Sequence, residues 1–187
     1  SRIHDAAESS RLRRALGVSK YGNTEAVMDG ARGITDRETF VQKITDAIHF
    51  IAESSKEIII CYIDIDNLKN VNELFGRSAG NNILVECAEI SETIEAGRTG
   101  YVAAAGYMGS DEFAILIIEN ATGMAAEYKN AVDAAFDKMN DRVFVSAAAA
   151  GFRYHRELEA EDMLNEAMDM VDEERHEKEK EINAERT

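Results

Sequence analysis

The sequence predicts an α/β chain of the α+β kind: a ferredoxin-like βαββαβ core with extra helices before and after it. Three observations carry this. The stretch Glu57–Ile63 is apolar and rich in isoleucine, and reads as a strand buried on both faces. Tyr101–Ile118 holds two apolar runs around Gly109-Ser110, a hairpin dipeptide with glycine at the first central position of a II′ turn. The segments around them place apolar residues at helical spacing. From Glu57 onward the order is therefore strand, helix, two-stranded hairpin, helix, strand.

Taken in order, residues 1–28 are polar and charged, with a basic patch at Arg11, Arg13 and Arg14. They read as a helical lead-in or a linker from a possible upstream sensor, and their glycines argue against a long coiled coil. Residues 29–187 read as one domain with a charged C-terminal helix. Thr35 and Glu38 form a capping-box pattern. The helix it opens lines up Phe40, Ile44, Ala47, Ile48 and Ile51 and should end near Ser54. After the isoleucine strand, Leu68, Val71 and Leu74 mark a short helix stopped by Gly76. Ala79–Ala96 reads as a long helix with Ile83, Leu84, Cys87, Ile90 and Ile94 on one face. Thr122–Met139 is another, burying Tyr128, Val132 and Phe136. Arg142–Phe152 reads as a strand of small residues. Glu157–Ile182 reads as a last helix burying Met163, Leu164, Ala167, Met168 and Val171, with a charged, frayed or solvated far end.

The net charge of −15 over 187 residues, with a pI near 4.7, argues against nucleic acid or an anionic membrane as the main partner. A small anionic substrate would need a metal or a local basic patch. Cys61 and Cys87 sit in apolar patterns and read as buried free thiols, which points to a reducing, cytoplasmic setting. No apolar run approaches the roughly 20 residues of a membrane helix. No signal peptide is visible. The opening serine suggests a piece of something longer.

The chemistry gathers at the strand ends. Asp64 and Asp66 follow the isoleucine run, and residues two apart in a strand point to one side. Asp111 and Glu112 follow the hairpin tip, which the topology sets beside Asp64. Hard cations such as Mg²⁺ take oxygen ligands, often one or two carboxylates with substrate phosphates. On the residues alone, the same acids also read as solvated strand ends.

The residues around these acids, IDIDNLKNVNELFGRSAGN and YMGSDEF, resemble the GGDEF family of diguanylate cyclases. That family's pattern is roughly D-x-D-x-F-K-x-x-N-D-x-x-G-H-x-x-G-D, followed by R-x-G-G-[DE]-E-F. The resemblance reaches upstream to DGARGITDRETF and downstream to EAMDMVDEERHEK, covering about Asp29 to Lys178. It implies a nucleotidyl-cyclase, polymerase-palm-like fold. It also implies that two GTP-loaded domains face each other as a homodimer and make cyclic di-GMP and pyrophosphate with Mg²⁺ or Mn²⁺. By motif position, Asp64 and Asp111, with the backbone carbonyl of Ile65, would hold the metal. Asp111 and Glu112 would be the catalytic acids. Asn67, Leu68 and Lys69 would cradle phosphates, Gly109 and Ser110 would lie against the α-phosphate, and Asn72 and Asn81 would contact the base. Arg175 stands where the family has a phosphate-binding lysine.

Several positions depart from that pattern. Asn81 replaces an aspartate, Ser110 a glycine, Tyr107 an arginine, Glu73 an aspartate and Arg77 a histidine. Glu179 falls where the family has an arginine. The product-inhibition pattern R-x-x-D is missing at Gly100–Ala103, so inhibition through that site is not expected. An aspartate accepts from N1–H and N2–H₂ of guanine together, whereas an asparagine sets a donor against a donor. One such mispairing costs about 1–3 kcal/mol. Asparagine suits adenine instead. The resemblance therefore implies either a cyclase with weakened or altered purine recognition, or an inactive nucleotide-binding signalling module.

Overall fold

The computed structural model describes residues 27–28, 30–31, 33–94, 99–139 and 143–187. The expected lead-in therefore lies outside the described residues, apart from Val27 and Met28. The elements are β1 (Ile34–Thr35), α1 (Arg37–Ile51), β2 (Glu57–Ile65), α2 (Leu68–Phe75), α3 (Arg77–Glu92), β3 (Gly100–Gly109), β4 (Glu112–Glu119), α4 (Ala125–Asp137), β5 (Val145–Arg153) and α5 (Ala160–Glu185). One sheet runs β1-β3-β4-β2-β5. β1 is parallel to β3 and every other pairing is antiparallel. The order β3-β4-β2-β5 is the ferredoxin-like arrangement, with β1 added at one edge.

β2 explains the two-sided core. Its odd residues Ile59, Cys61, Ile63 and Ile65 pack beneath α2, α3 and α4. Its even residues Ile58, Ile60 and Tyr62 pack beneath α1 and α5. Strand side chains alternate between faces, so a strand covered on both sides must be apolar throughout. Ile58, Ile59, Ile60 and Ile63 are fully buried, and each contributes about 1.5–3 kcal/mol of burial. β5 alternates in the same way, Ala147 and Ala149 on one face and Ala148 and Ala150 on the other. Cys61 and Cys87 are both free and buried, and burial pushes the Cys61 thiol up to about 12.

Two local expectations change, the cap of α1 and the end of β2. The cap of α1 is Asp36, whose Oδ1 accepts from Thr39 N at 2.8 Å. Thr35 belongs to β1, and its hydroxyl donates to Ala105 O at 3.2 Å, so it is not available to cap. β2 continues to Ile65 because Asp64 and Ile65 stay paired with Ser146 and Val145. The charged end of α5 is helical as far as Glu185.

At the end of the sheet away from the hairpin tip, Glu119 is fully buried. Its carboxylate accepts from Tyr128 OH at 2.5 Å, from Ala121 N at 3.1 Å and from the Thr99 hydroxyl. Burial alone would raise the Glu119 pKa, but these hydrogen bonds outweigh it and hold the group below its ordinary value. A depressed folded pKa adds stability that is present above the unfolded value and lost as pH falls through the folded one. Glu119→Gln is therefore expected to be less stable than the parent at neutral pH, with the gap closing below about pH 4.5. Urea midpoints measured across the acid range check this, and parallel curves contradict it.

Candidate active site

The strand-end acids converge. Asp64 lies opposite Glu112 in the β2–β4 ladder, and both are buried. Their parity sets them on the face that carries α1 and α5. Ile65 N donates to Asp111 O at 2.8 Å, tying the end of β2 to the hairpin tip. Asp66 N donates to Phe144 O at 2.7 Å. The Asp66 carboxylate accepts from Ser146 Oγ at 2.9 Å and from Arg175 Nε at 3.2 Å. The same guanidinium ion-pairs through Nη2 with Asp64 Oδ2. Desolvation works against the Arg175 charge, but Asp64 and Asp66 outweigh it and raise its pKa above the ordinary arginine value.

Asp64, Ile65, Asp66, Asp111, Phe144 and Arg175 line a cleft of about 810 Å³ between the strand ends, α4 and α5, whereas Glu112 and Ser146 do not line it. Seven acids line it (Asp64, Asp66, Asp111, Asp133, Asp137, Glu174 and Glu179) against two basic residues, Arg175 and Lys178. An anion enters such a cleft only if positive charge comes with it. Among the described residues no three His, Cys, Asp or Glu side chains form a ready-made metal cluster. Asp64, Asp111 and Ile65 line the cleft together, so two carboxylates and a carbonyl are the donors a metal would meet there. That set is hard oxygen throughout and fits a Mg²⁺ ion that keeps water or phosphate in its other positions. Arg175 is the cation that meets Asp64 in this structure.

The hairpin tip differs in register from the expected II′ turn. Gly109 pairs with Glu112, after a bulge between Tyr107 and Gly109, so the two-residue loop is Ser110-Asp111. Both Gly109 (φ +92) and Ser110 (φ +55) are left-handed, whereas a II′ turn needs positive φ at its first central residue only. Tyr107, standing in place of the family arginine, donates its hydroxyl to Ser110 O at 2.5 Å and packs against Phe113 with the rings tilted and their centroids 5.2 Å apart. Ser110 Oγ donates to Asp111 Oδ1. A left-handed non-glycine residue costs roughly 1–2 kcal/mol. Ser110→Gly is thus expected to stabilise the fold by about 1 kcal/mol, read as a higher urea midpoint; an unchanged or lower midpoint contradicts the strain.

The remaining predicted residues gather elsewhere. A Cβ on Gly80 would lie 1.7 Å from Asn72 Oδ1, so the bare glycine of α3 makes room for the Asn72 side chain. Asn81 follows at once, and its Oδ1 is buried and accepts no hydrogen bond among the described residues. Neither asparagine lines the acidic cleft. Asn67 Oδ1 accepts from Phe144 N at 2.9 Å, so the side chain of this N-cap residue makes no capping hydrogen bond to α2. Leu68 is buried in the core, so only its backbone can meet a ligand. Lys69 is 58% exposed and 3.9 Å from Glu73, outside the cleft. Sequence reasoning missed Lys178, which donates to Val145 O at 2.7 Å. It also missed Glu174, which accepts from Ala147 N at 2.6 Å and pairs with Lys129 at 2.9 Å. Their spacing of four on a helix that flanks the strand end was the available signal.

The model of the GGDEF family, described as diguanylate cyclase, GGDEF domain, matches residues 26–181. The chain belongs to the GGDEF family. Diguanylate cyclase DgcP of Escherichia coli is 27% identical over 96 residues, covering 51% of this chain and 27% of DgcP. The biofilm architecture maintenance protein MbaA of Vibrio cholerae is 33% identical over 106 residues, covering 54% of this chain and 13% of MbaA. The GGDEF domain thus spans about a quarter or less of these relatives. The diguanylate cyclase SiaD of Pseudomonas aeruginosa, solved with its activator SiaC, superposes with TM-score 0.66 at 18% identity, over 94% of this chain and 66% of SiaD. The GGDEF domain of DgcB from Caulobacter crescentus, solved with c-di-GMP, gives TM-score 0.65 at 14% identity, over 85% and 92% of the two chains. These likenesses establish the palm-like α+β fold. Among the described residues, no helix of this GGDEF domain is long and apolar enough to cross a membrane.

Proposed function

We propose that this GGDEF domain binds a purine nucleoside triphosphate together with a divalent cation, and that it is a cyclase-type nucleotidyltransferase with weakened base selection. The observation that carries the reading is the junction of Ile65 N with Asp111 O at 2.8 Å, beside Asp64 and Glu112 in register. It brings two carboxylates and a main-chain carbonyl to one strand end. When bound there, Mg²⁺ or Mn²⁺ supplies charge neutralisation at the transferring phosphoryl group. Asp64, Asp111 and the Ile65 carbonyl hold it. Glu112, buried on the same face, accepts the proton of an attacking sugar hydroxyl. The first N–H groups of α2, which the Asn67 side chain does not cap, meet phosphate oxygens at a helix N-terminus, with Lys69 adding charge from outside. Asn72 and Asn81 meet the base. Each domain holds one nucleotide, so joining two GTP molecules into cyclic di-GMP takes two domains, with the 3′-hydroxyl of each attacking the other's α-phosphate and pyrophosphate leaving.

A second reading, a nucleotide-binding signalling module without turnover and driven by an upstream sensor, is favoured by one observation. Glu179 stands on the cleft wall where the family has a basic residue, and is one of the seven acids that face two basic residues there. Titration calorimetry with GTP and ATP, with and without Mg²⁺, tests the binding reading, and chromatography for cyclic dinucleotide separates the two. Heat that requires Mg²⁺ is expected. No heat with either nucleotide at millimolar concentration contradicts both readings.

A further inference from the structure

The contacts of α5 point to a device that couples the cleft to the far end of that helix. The last buried residue of α5 is Val171. Beyond it, α5 is held to the strand ends by polar contacts: Glu174 to Ala147 N, Arg175 to Asp64 and Asp66, and Lys178 to Val145 O. Residues 181–187 are all exposed. Of these three anchors, Arg175 is the one that touches a proposed metal ligand. The contact lies on Asp64 Oδ2, with the same guanidinium also pairing with Asp66. A divalent cation on Asp64 would stand beside this guanidinium, where like charges repel.

We propose that Arg175 is the resident counter-cation of the strand-end aspartates, and that a divalent metal at Asp64 displaces it and loosens α5 beyond Val171. The proposal rests on the metal reading of Asp64 given above. Linkage makes the coupling reciprocal: docking of the helix end weakens metal binding by the factor by which metal weakens docking. The released guanidinium faces the cleft, where its planar fork suits the phosphate oxygens that a metal-bound nucleotide carries. The same side chain thus guards the empty acids and then meets the substrate. The exposed end of α5 reports the change to whatever adjoins it.

The test measures Mn²⁺ binding to the nucleotide-free chain by electron paramagnetic resonance of the free ion. It compares the parent with Arg175→Gln and Lys178→Gln, which remove the same charge from the same cleft. Arg175→Gln is expected to tighten Mn²⁺ binding about tenfold, in the range typical of couplings between sites, and Lys178→Gln by less than about twofold. Equal tightening by both variants means general electrostatics and overturns the proposal, as does no tightening by Arg175→Gln. If Mn²⁺ binds all three equally, the metal reading stands and the latch fails; if it binds none, both fail. Hydrogen exchange on the parent chain gives a second measurement that needs no variant at Arg175. Mn²⁺ should speed exchange over residues 176–185 in the parent and leave it unchanged in Asp64→Asn. Unchanged exchange in a parent that has bound Mn²⁺ overturns the coupling.

Discussion

Asp64→Asn is expected to lower the affinity for Mg²⁺-bound GTP by roughly a hundredfold or more, since even the outer partners of metal ligands are worth about 10–100-fold. The substitution keeps the shape of the side chain and its place opposite Glu112. What it removes is one of the two carboxylates at the junction, and with it the charge that balances a divalent cation. It also removes one partner of Arg175. That side chain is about a third exposed and retains Asp66, so the melting temperature should fall only modestly. Calorimetry with Mg²⁺, repeated in chelator, reads the effect. The parent should lose binding in chelator, and the variant should bind weakly in both conditions. A variant that binds GTP like the parent would place the metal elsewhere.

Gly80→Ala should separate binding from stability. The new methyl would meet Asn72 Oδ1 at 1.7 Å and Cγ at 2.8 Å. Both are atoms of a flexible side chain, so Asn72 swings away and the backbone stays. Alanine is the better helix former by about 1 kcal/mol in a helix interior, so the melting temperature should hold or rise. Nucleotide affinity should fall roughly tenfold to 150-fold, the equivalent of about 1–3 kcal/mol for a lost polar contact in a desolvated site. Opposite movements of stability and affinity identify Asn72 as a base contact. Retained affinity would mean that the base lies elsewhere.

The isoleucine run of β2 carried most of the fold in plain view, because a strand buried on both faces has almost no compositional alternative. Its two-residue period also put Asp64 and Asp66 on one side, where Arg175 now joins them. The hairpin was legible in existence and not in register. A bulge between Tyr107 and Gly109 moved the loop by one residue, and the Tyr107 hydroxyl donates to Ser110 O across it, a contact the Gly-Ser dipeptide does not announce. Thr35 looked like a cap because β1, two residues long, leaves no periodic trace. The site was legible where it depends on strand ends and hidden where it depends on reach. Motif position gave Arg175 as a phosphate ligand. Its pairing with the aspartates depends on α5 crossing the end of β2, a tertiary fact absent from local pattern. The same holds for Asn67, whose side chain turns to Phe144 N.

A metal held by Asp64, Asp111 and the Ile65 carbonyl is what the proposed nucleotide binding of this GGDEF domain requires. Crystals grown with Mn²⁺ and a non-reacting GTP analogue, measured at a wavelength where manganese scatters anomalously, test it most directly. An anomalous peak in contact with both carboxylates and that carbonyl is expected, with Arg175 turned away from Asp64. A peak elsewhere, or nucleotide bound with Arg175 still paired to Asp64 and no peak at the strand end, would contradict it.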